Sequence, residues 1–526
     1  MRSLALPGIL ALAVLSACGS DNGSDPTPTC TVTAVAITGG GVTRAVGETV
    51  QLTAQLTSAN CTTPPAITWS SQPAGRVTIS ATGLVTAVAA GAVTITATAG
   101  GVSGTTQVTI TEPPPAEVRF LVDSVVLGVG DEFTLAAEAR TAANVVVPAP
   151  GLIWSLIDAG PITIAAGGRV TGVTEGATAR VQVRLGDLTD TAKVWVVRRR
   201  LGFLWNQFAA GDGTWDADAE YSWSTAVGTN TIARPGDGQY VINWPHLQRA
   251  GQETEVVLAS AYGTPFGSWC HVDSWTSITA AIRCRNSAGA LTNGSFTAAL
   301  VGSASLRGRS GFAWIQTDNE SVTATPVWRY NASGRSITST YIGTGEYRVR
   351  FAGLGRRTAN DREAVMVSAY GDNRHCQPVS WTTTGEDLDA QVRCHDATGA
   401  LANSRFVILV ADDTRPGAQL AFLHADQPTA TGAYQPANQA TRPGPGTATV
   451  ERIGPGTWDI SLNGFFRDGA REETFLVSAA GTTAARCAVL GWSYSSSSGS
   501  PSTLTVRCGT PGGTAADVPF VLVGLQ

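Results

Sequence analysis

Lysine is nearly missing from this sequence: among 526 residues only Lys193 is found, so Arg carries almost all the positive charge, a bias we attribute to coding rather than to phosphate recognition. Charged residues of all kinds make up 14%. That is too few for long amphipathic helices, which need extended charged faces. The formal net charge of -5 leaves no basic footprint, which argues against nucleic acid as a partner. Catalytic signatures are missing as well. There is no Gly-x-Ser-x-Gly elbow, no His-Glu-x-x-His and no phosphate-cradling glycine loop. The five histidines, His246, His271, His375, His395 and His424, show no ligand spacing, and no Cys-x-x-Cys occurs. The sequence therefore assigns no catalytic residue, no metal site and no cofactor, and the chain is read as non-enzymatic.

What is present is repetition. From about Phe203 to Gln526 one Cys pattern is written three times. Cys270, Cys376 and Cys487 are each followed five residues later by Trp275, Trp381 and Trp492. A second Cys follows an Arg in Arg283-Cys284, Arg393-Cys394 and Arg507-Cys508; a Gly stands five residues on (Gly289, Gly399, Gly513) and a Phe twelve on (Phe296, Phe406, Phe520). Upstream, Gly-x-aromatic opens one run at Gly238, Gly345 and Gly456, and Ser-Ala-x-Gly closes the next at Gly263, Gly371 and Gly481. Taking Phe203-Leu204-Trp205, Phe312-Ala313-Trp314 and Leu420-Ala421-Phe422 as the starts, each unit is domain-sized and is expected to bury its own core. Alternation in Tyr347 to Phe351, Ala364 to Ala369 and Phe406 to Val410 reads as strand, with turns such as Pro235 to Gly238 between runs. A unit of this size closes as an Ig-like or jelly-roll-like sandwich.

The amino terminus has Arg2, an apolar run from Leu4 to Leu15 too short to span a membrane, and then Leu15-Ser16-Ala17-Cys18. This resembles the lipobox of bacterial lipoproteins. The resemblance implies cleavage after residue 17, acylation of Cys18, and an envelope protein held to the membrane by its lipid. Gly19 after that Cys favours the outer membrane and surface exposure. Residues 18-30 form a small, polar tether.

Two further segments share landmarks. Val46 to Leu52 matches Val129 to Leu135, Ile67-Thr68-Trp69-Ser70 matches Leu152-Ile153-Trp154-Ser155, and Val77 to Val88 matches Ile162 to Val173. They resemble group 2 bacterial Ig-like domains, which implies sandwiches with Trp69 and Trp154 in the core and a stalk-like role. Thr111 to Pro115 is a stiff spacer between them. The expected organisation is all-β, five tandem sandwiches: a signal peptide at 1-17, Ig-like domains at 31-112 and 116-198, and β repeats at 200-302, 309-412 and 417-526.

Nine Cys is an odd count. Assigning Cys18 to lipid leaves eight, and four local disulfides are the economical solution: Cys30 with Cys61, Cys270 with Cys284, Cys376 with Cys394, and Cys487 with Cys508. His375 and His395 beside the second pair raise a metal reading, which the other two copies do not support. Each short loop closure is worth about 3 kcal/mol in the chain-entropy model.

Among the aromatics, Trp205 and Tyr240 have counterparts in the other repeats and read as core, whereas Trp215, Trp244 and Trp269 have none and are the candidate ligand-binding residues. The repeated Arg reads as a solvated face, and Asp212, Asp216, Asp218 and Glu220 as a hydrated loop rather than a calcium site. The functional expectation is a non-catalytic cell-surface lipoprotein whose stalk presents three repeats to an extracellular protein or glycan. A carbohydrate-recognition component of a polysaccharide-uptake system and a structural surface-layer protein are the alternatives.

Overall fold

A computed structural model describes residues 29–158, 160–207, 213–226, 228–306, 308–316, 323–412, 420–441, 446–465, 473–494 and 502–526. Cys18 with its lipobox, and Asp212, lie outside the described residues. The chain divides into two compact units, one of residues up to Ala116 with Arg140–Val147, the other of Glu117–Ala139 and Pro148–Gln526.

In the first unit, strand Gly91–Ala99 buries every second residue from Val93 on, as a half-exposed strand must. It sits in a four-stranded sheet ordered Val42–Ala45, Val102–Thr111, Gly91–Ala99, Thr68–Gln72, whose first pair is parallel. A three-stranded sheet of Thr49–Gln51, Leu84–Ala87 and Val77–Ile79 and the pair Thr31–Thr38 with Thr53–Ala59 complete the sandwich. Leu52, Val85, Ile95 and Val108 form its centre. The Cys30–Cys61 disulfide is formed.

The second Ig-like domain repeats this order. Ser124–Gly128, Leu188–Val197, Ala177–Leu185 and Ile153–Leu156 make one sheet, again with a parallel first pair, and Glu132–Thr134, Arg169–Gly172 and Ile162–Ala165 the other. Trp69 and Trp154 are only half buried. Each lies against a glycine turn, Gly83 and Gly168, where a Cβ would come within 2.9 Å of the indole. The two Trp therefore flank their cores instead of filling them.

The three repeats are sandwiches, but they do not stand apart. In the first, an inner sheet (Ser222–Ser224, Leu201–Asn206, Ser295–Gly302, Glu255–Tyr262) faces an outer one ending in Thr279–Arg285 and Trp269–Trp275. The inner edge Glu255–Tyr262 runs parallel to Arg486–Ser493 of the third repeat, giving an eight-stranded sheet. The outer edge Trp269–Trp275 runs parallel to Glu363–Tyr370 of the second, giving a nine-stranded sheet. The remaining junction, between the second and third repeats, is made where the Gly481 N–H donates to the Pro378 carbonyl. The ring is closed.

Inner strands explain why. Glu255–Tyr262 and Glu363–Tyr370 bury their first seven residues, and Phe520–Leu525 buries all six. Ala364 to Ala369 and Phe406 to Val410, expected to alternate, are continuous apolar runs, the signature of strands covered on both faces. Val257 and Leu300 point into the first repeat's own core. Their neighbours Val256, Leu258 and Val301 point the other way, into a core shared with Met366, Leu409, Leu476 and Val523. The expectation that each unit buries its core without neighbours is thus corrected: half of each inner sheet is completed by the other two repeats.

The register of the third repeat is corrected too. Phe203, Phe312 and Phe422 lie opposite Ala299, Leu409 and Val523, so Phe422 matches Phe203, and the place of Trp205 and Trp314 is taken by His424.

Candidate functional site

The recurring motifs hold the seams of the ring. The closing glycines donate their N–H groups across each seam, Gly263 to Val489, Gly371 to Val272 and Gly481 to Pro378. Each acceptor precedes a β-bulge in the receiving strand. A bulge leaves one residue out of the ladder, which frees that carbonyl for a neighbour. Downstream, Gly289, Gly399 and Gly513 have φ of +83°, +94° and +85°, and a Cβ on them would meet Ala397, Pro511 and Ser287 of the next repeat at 2.8 to 3.3 Å. Only glycine satisfies both the turn and that approach.

The Trp of each Cys motif packs across a seam: Trp275 on Trp314 (5.3 Å between ring centres), Trp381 on His424 (4.8 Å) and Trp492 on Trp205 (5.9 Å). The repeated Arg is not a solvated face. Arg283 pairs with Asp273, Arg393 with Glu346, and Arg507 lies over the Phe266 ring of the first repeat. All three repeat disulfides join residues directly opposite on adjacent strands, so the thiols flanked by His375 and His395 bind each other, not metal. Among the described residues no group of three or more His, Cys, Asp or Glu is placed to hold a metal ion.

Of the three tryptophans expected on a binding surface, two are buried and the third is half buried. Trp244 is fully buried in the first repeat's core, and Trp269 is 4% exposed, covered by the Arg486 guanidinium 3.6 Å above its ring. Trp215, on the strand Gly213–Asp216, is half buried against the same core as Trp244. Lack of a repeat counterpart marked structural singularities of one copy, not exposure. Of the acidic loop, Asp218 caps the short turn Ala219–Tyr221 by accepting from the Glu220 N–H, a local role that needs no ion.

A wide concavity lies elsewhere, between the second Ig-like domain and the second repeat. It is a cleft of about 840 Å³, within the range of small-ligand sites. Arg169 comes from the Ig-like side, and Arg309, Arg335, Arg356 and Arg357 from the repeat; Glu132 and Glu386 are the carboxylates on its wall. Phe133 and Leu121 supply an apolar strip. Two arginines are committed to structure: Arg309 to Asp412 at 2.6 Å, and Arg356 to Glu363, whose hydrogen bonds hold its guanidinium above the usual range. Arg335 meets Glu386 at 2.6 Å and Arg169 meets Glu132 at 3.6 Å, both in solvent where such pairs are weak. Arg357 is exposed; its backbone N–H donates to Asp361, and its guanidinium forms no ion pair among the described residues. The balance on the wall is positive in a protein of negative net charge.

The domain contact that frames this cleft is tied by Arg198-Arg199-Arg200, a run the sequence did not flag. Arg199 pairs with Asp131 of the Ig-like domain and also donates to the Ala304 carbonyl of the ring; Arg198 reaches Glu253, and Arg200 reaches Glu255.

Burial at the ring's axis also sets a pH response. His271 is 1% exposed and its pKa is pushed down to about 3, first by desolvation and then by Arg285 and Arg283. His395 is 3% exposed and lies at about 4, for desolvation and the nearby Arg393. Both are neutral in the folded chain, while unfolded imidazoles take up protons below about 6.5. The stabilisation is therefore complete above 6.5 and is lost as pH falls toward 4 and then 3. From pH 7 to 5 the two together remove at most about 4 kcal/mol. Melting at these two pH values checks this: the temperature should fall, and His271→Gln should flatten the slope; an unchanged slope in that variant would refute it.

Residues 31–110 match the bacterial Ig-like domain, group 2. No curated protein matches the chain. Similar solved structures include the S-layer protein SbsC domains 4 and 5 (16% identity, 32% of this chain and 98% of that one, TM-score 0.18). Human protocadherin-24 EC1-2 (12%, 32% and 99%, 0.19) and titin A168169 (15%, 31% and 100%, 0.23) are others. No helix of the described residues is long and apolar enough to cross a membrane.

Proposed function

We propose that this chain is a non-catalytic surface lipoprotein of the bacterial envelope, anchored through Cys18, whose Ig-like domains carry a closed three-repeat head that binds an acidic glycan. The observation that carries the binding role is the cleft, with Arg169, Arg335 and Arg357 facing solvent beside the Phe133 strip. Guanidinium forks suit carboxylate and sulfate groups, and an apolar strip suits a sugar face. The group 2 Ig-like match and four disulfides support an exported, outward-facing protein.

Two measurements test this. The chain with Cys18→Ser should be released from the membrane and lose metabolic fatty-acid label; retention with full label would remove the anchor. The released protein should bind carboxylated or sulfated oligosaccharides with an affinity that falls as salt rises. Arg335→Glu with Arg357→Glu should weaken that binding at least tenfold without shifting the melting temperature by more than a degree or two. Unchanged binding in the double variant, or binding of acidic peptides in place of glycans, would overturn the glycan reading.

A further inference from the structure

A second site lies where the three repeats meet. Equivalent residues of each copy converge there on a cavity of about 30 Å³, lined by Ser260, Ser368 and Ser478 and by the first Cys of each motif. The residues just before those Cys differ: Trp269, His375 and Arg486. Arg374 and His271 complete the polar lining, and no carboxylate is part of it.

Arg486 is the decisive residue. Its side chain is 2% exposed, its terminal nitrogens donate to the carbonyls of Gly267 (2.8 Å) and Ala397 (2.9 Å), and its plane lies on Trp269. No carboxylate of the described residues forms an ion pair with it. The Asp396 carboxylate acts on it only through space, its Oδ1 already accepting from the Thr398 and Ala400 N–H groups and the Thr398 hydroxyl, while the Asp396 backbone carbonyl accepts from an Arg486 terminal nitrogen at 3.5 Å. Arg374, half buried, likewise forms no ion pair among the described residues and feels the Asp396 carboxylate only through space. A buried guanidinium stays charged, and an unpaired buried charge costs several kcal/mol.

The lining also has spare donors. The Nε of Arg486, the Nε of Arg374, the indole N–H of Trp269, the Nε2 of His375 and both ring nitrogens of His271 make no hydrogen bond within the protein. Serine hydroxyls are spent across the seams, Ser260 on Val477 and Ser478 on Val367. Arginine and tryptophan can only donate, and a neutral imidazole offers one N–H. The cavity has room for a water-sized guest and not for a tetrahedral oxyanion. A cation would meet two guanidinium groups.

We infer that the axis of the ring holds a small monovalent anion, a halide, which supplies the counter-charge that Arg486 and Arg374 lack. The halide is structural: it neutralises a place where all three repeats bring unpaired donors together, and it couples closure of the ring to its binding. This inference does not rest on the cleft.

The test uses the full exported chain carrying Cys18→Ser. Crystals grown in sodium bromide should show one anomalous peak between Trp269, His271 and Arg486. Replacing 200 mM gluconate by chloride or bromide at constant ionic strength should raise the melting temperature by about 3–5 °C. Arg486→Gln should abolish that rise; if this variant does not fold, the wild-type diffraction result still decides. Absence of anomalous signal in saturating bromide, or a peak accompanied by identical melting in gluconate and chloride, an adventitious ion only, would overturn the inference.

Discussion

Residues 309–412, expressed alone, will fail to fold, whereas residues 199–526 will melt as one cooperative body. The reason is the shared core. The second repeat sends Phe312, Tyr330, Met366, Val407 and Leu409 into it. Burying a side chain of this size contributes about 1.5–3 kcal/mol, so exposing five forfeits roughly 8–15 kcal/mol. Whole domains have net stabilities of about 5–15 kcal/mol. The excised repeat therefore loses an amount comparable to everything it has. It also bares the edge Glu363–Tyr370, whose apolar residues and unpaired amides invite aggregation. Its disulfide, worth about 3 kcal/mol, does not close that gap. Circular dichroism and amide dispersion of the two fragments check this, and a sharp thermal transition in the single repeat would sink the account.

The same strands show what the sequence could and could not convey. Period-two alternation in Tyr347 to Phe351 marked a strand, and Glu346–Phe351 indeed alternates in burial. Short apolar runs such as Val365 to Val367 carry no period, so they announce burial without saying who covers the second face. The repeat Cys positions were informative because each of those three pairs lies directly across adjacent antiparallel strands. Ser-Ala-x-Gly recurred visibly, yet its meaning, a hydrogen bond given to another copy, needed the ring. Phe422 was set in the place of Trp205 and Trp314, which His424 holds, because Phe422 is the first aromatic of that strand. The cleft was illegible for a different reason: Arg169 and Arg357 belong to different domains, and neither stands in a motif. Trp244 and Trp269 misled because an aromatic without a counterpart can equally fill space that other copies fill differently.

Arg200→Ala should be the most damaging single substitution at the base of the ring, costing about 3–5 kcal/mol. Arg200 is 1% exposed and meets the fully buried Glu255 at 2.7 Å, while its other nitrogens donate to the carbonyls of Leu247 (2.6 Å) and Ser277 (2.7 Å). Arg249 also grips Glu255 but is partly in solvent, so it cannot replace the buried donor. Truncation thus leaves a carboxylate with half its partners and two carbonyls with fewer donors, at about 1–3 kcal/mol for each group left short. Two apolar residues of similar volume behave differently, since the Arg200–Glu255 pair is then removed whole, while the buried Glu253 keeps Arg198. Arg200→Met with Glu255→Leu should recover part of the loss, leaving about 2 kcal/mol for the deprived carbonyls. The second repeat provides a comparison: Arg309, at the place of Arg200, lies 2.6 Å from Asp412 and 3.8 Å from Glu363, the counterpart of Glu255, and donates to the Leu354 and Gly355 carbonyls, so Arg309→Ala should cost a similar amount. Denaturant melting of the ring measures all three. A loss under about 1 kcal/mol for Arg200→Ala would mean that water reaches Glu255, and that the link between the arginine run and the ring is looser than its geometry implies.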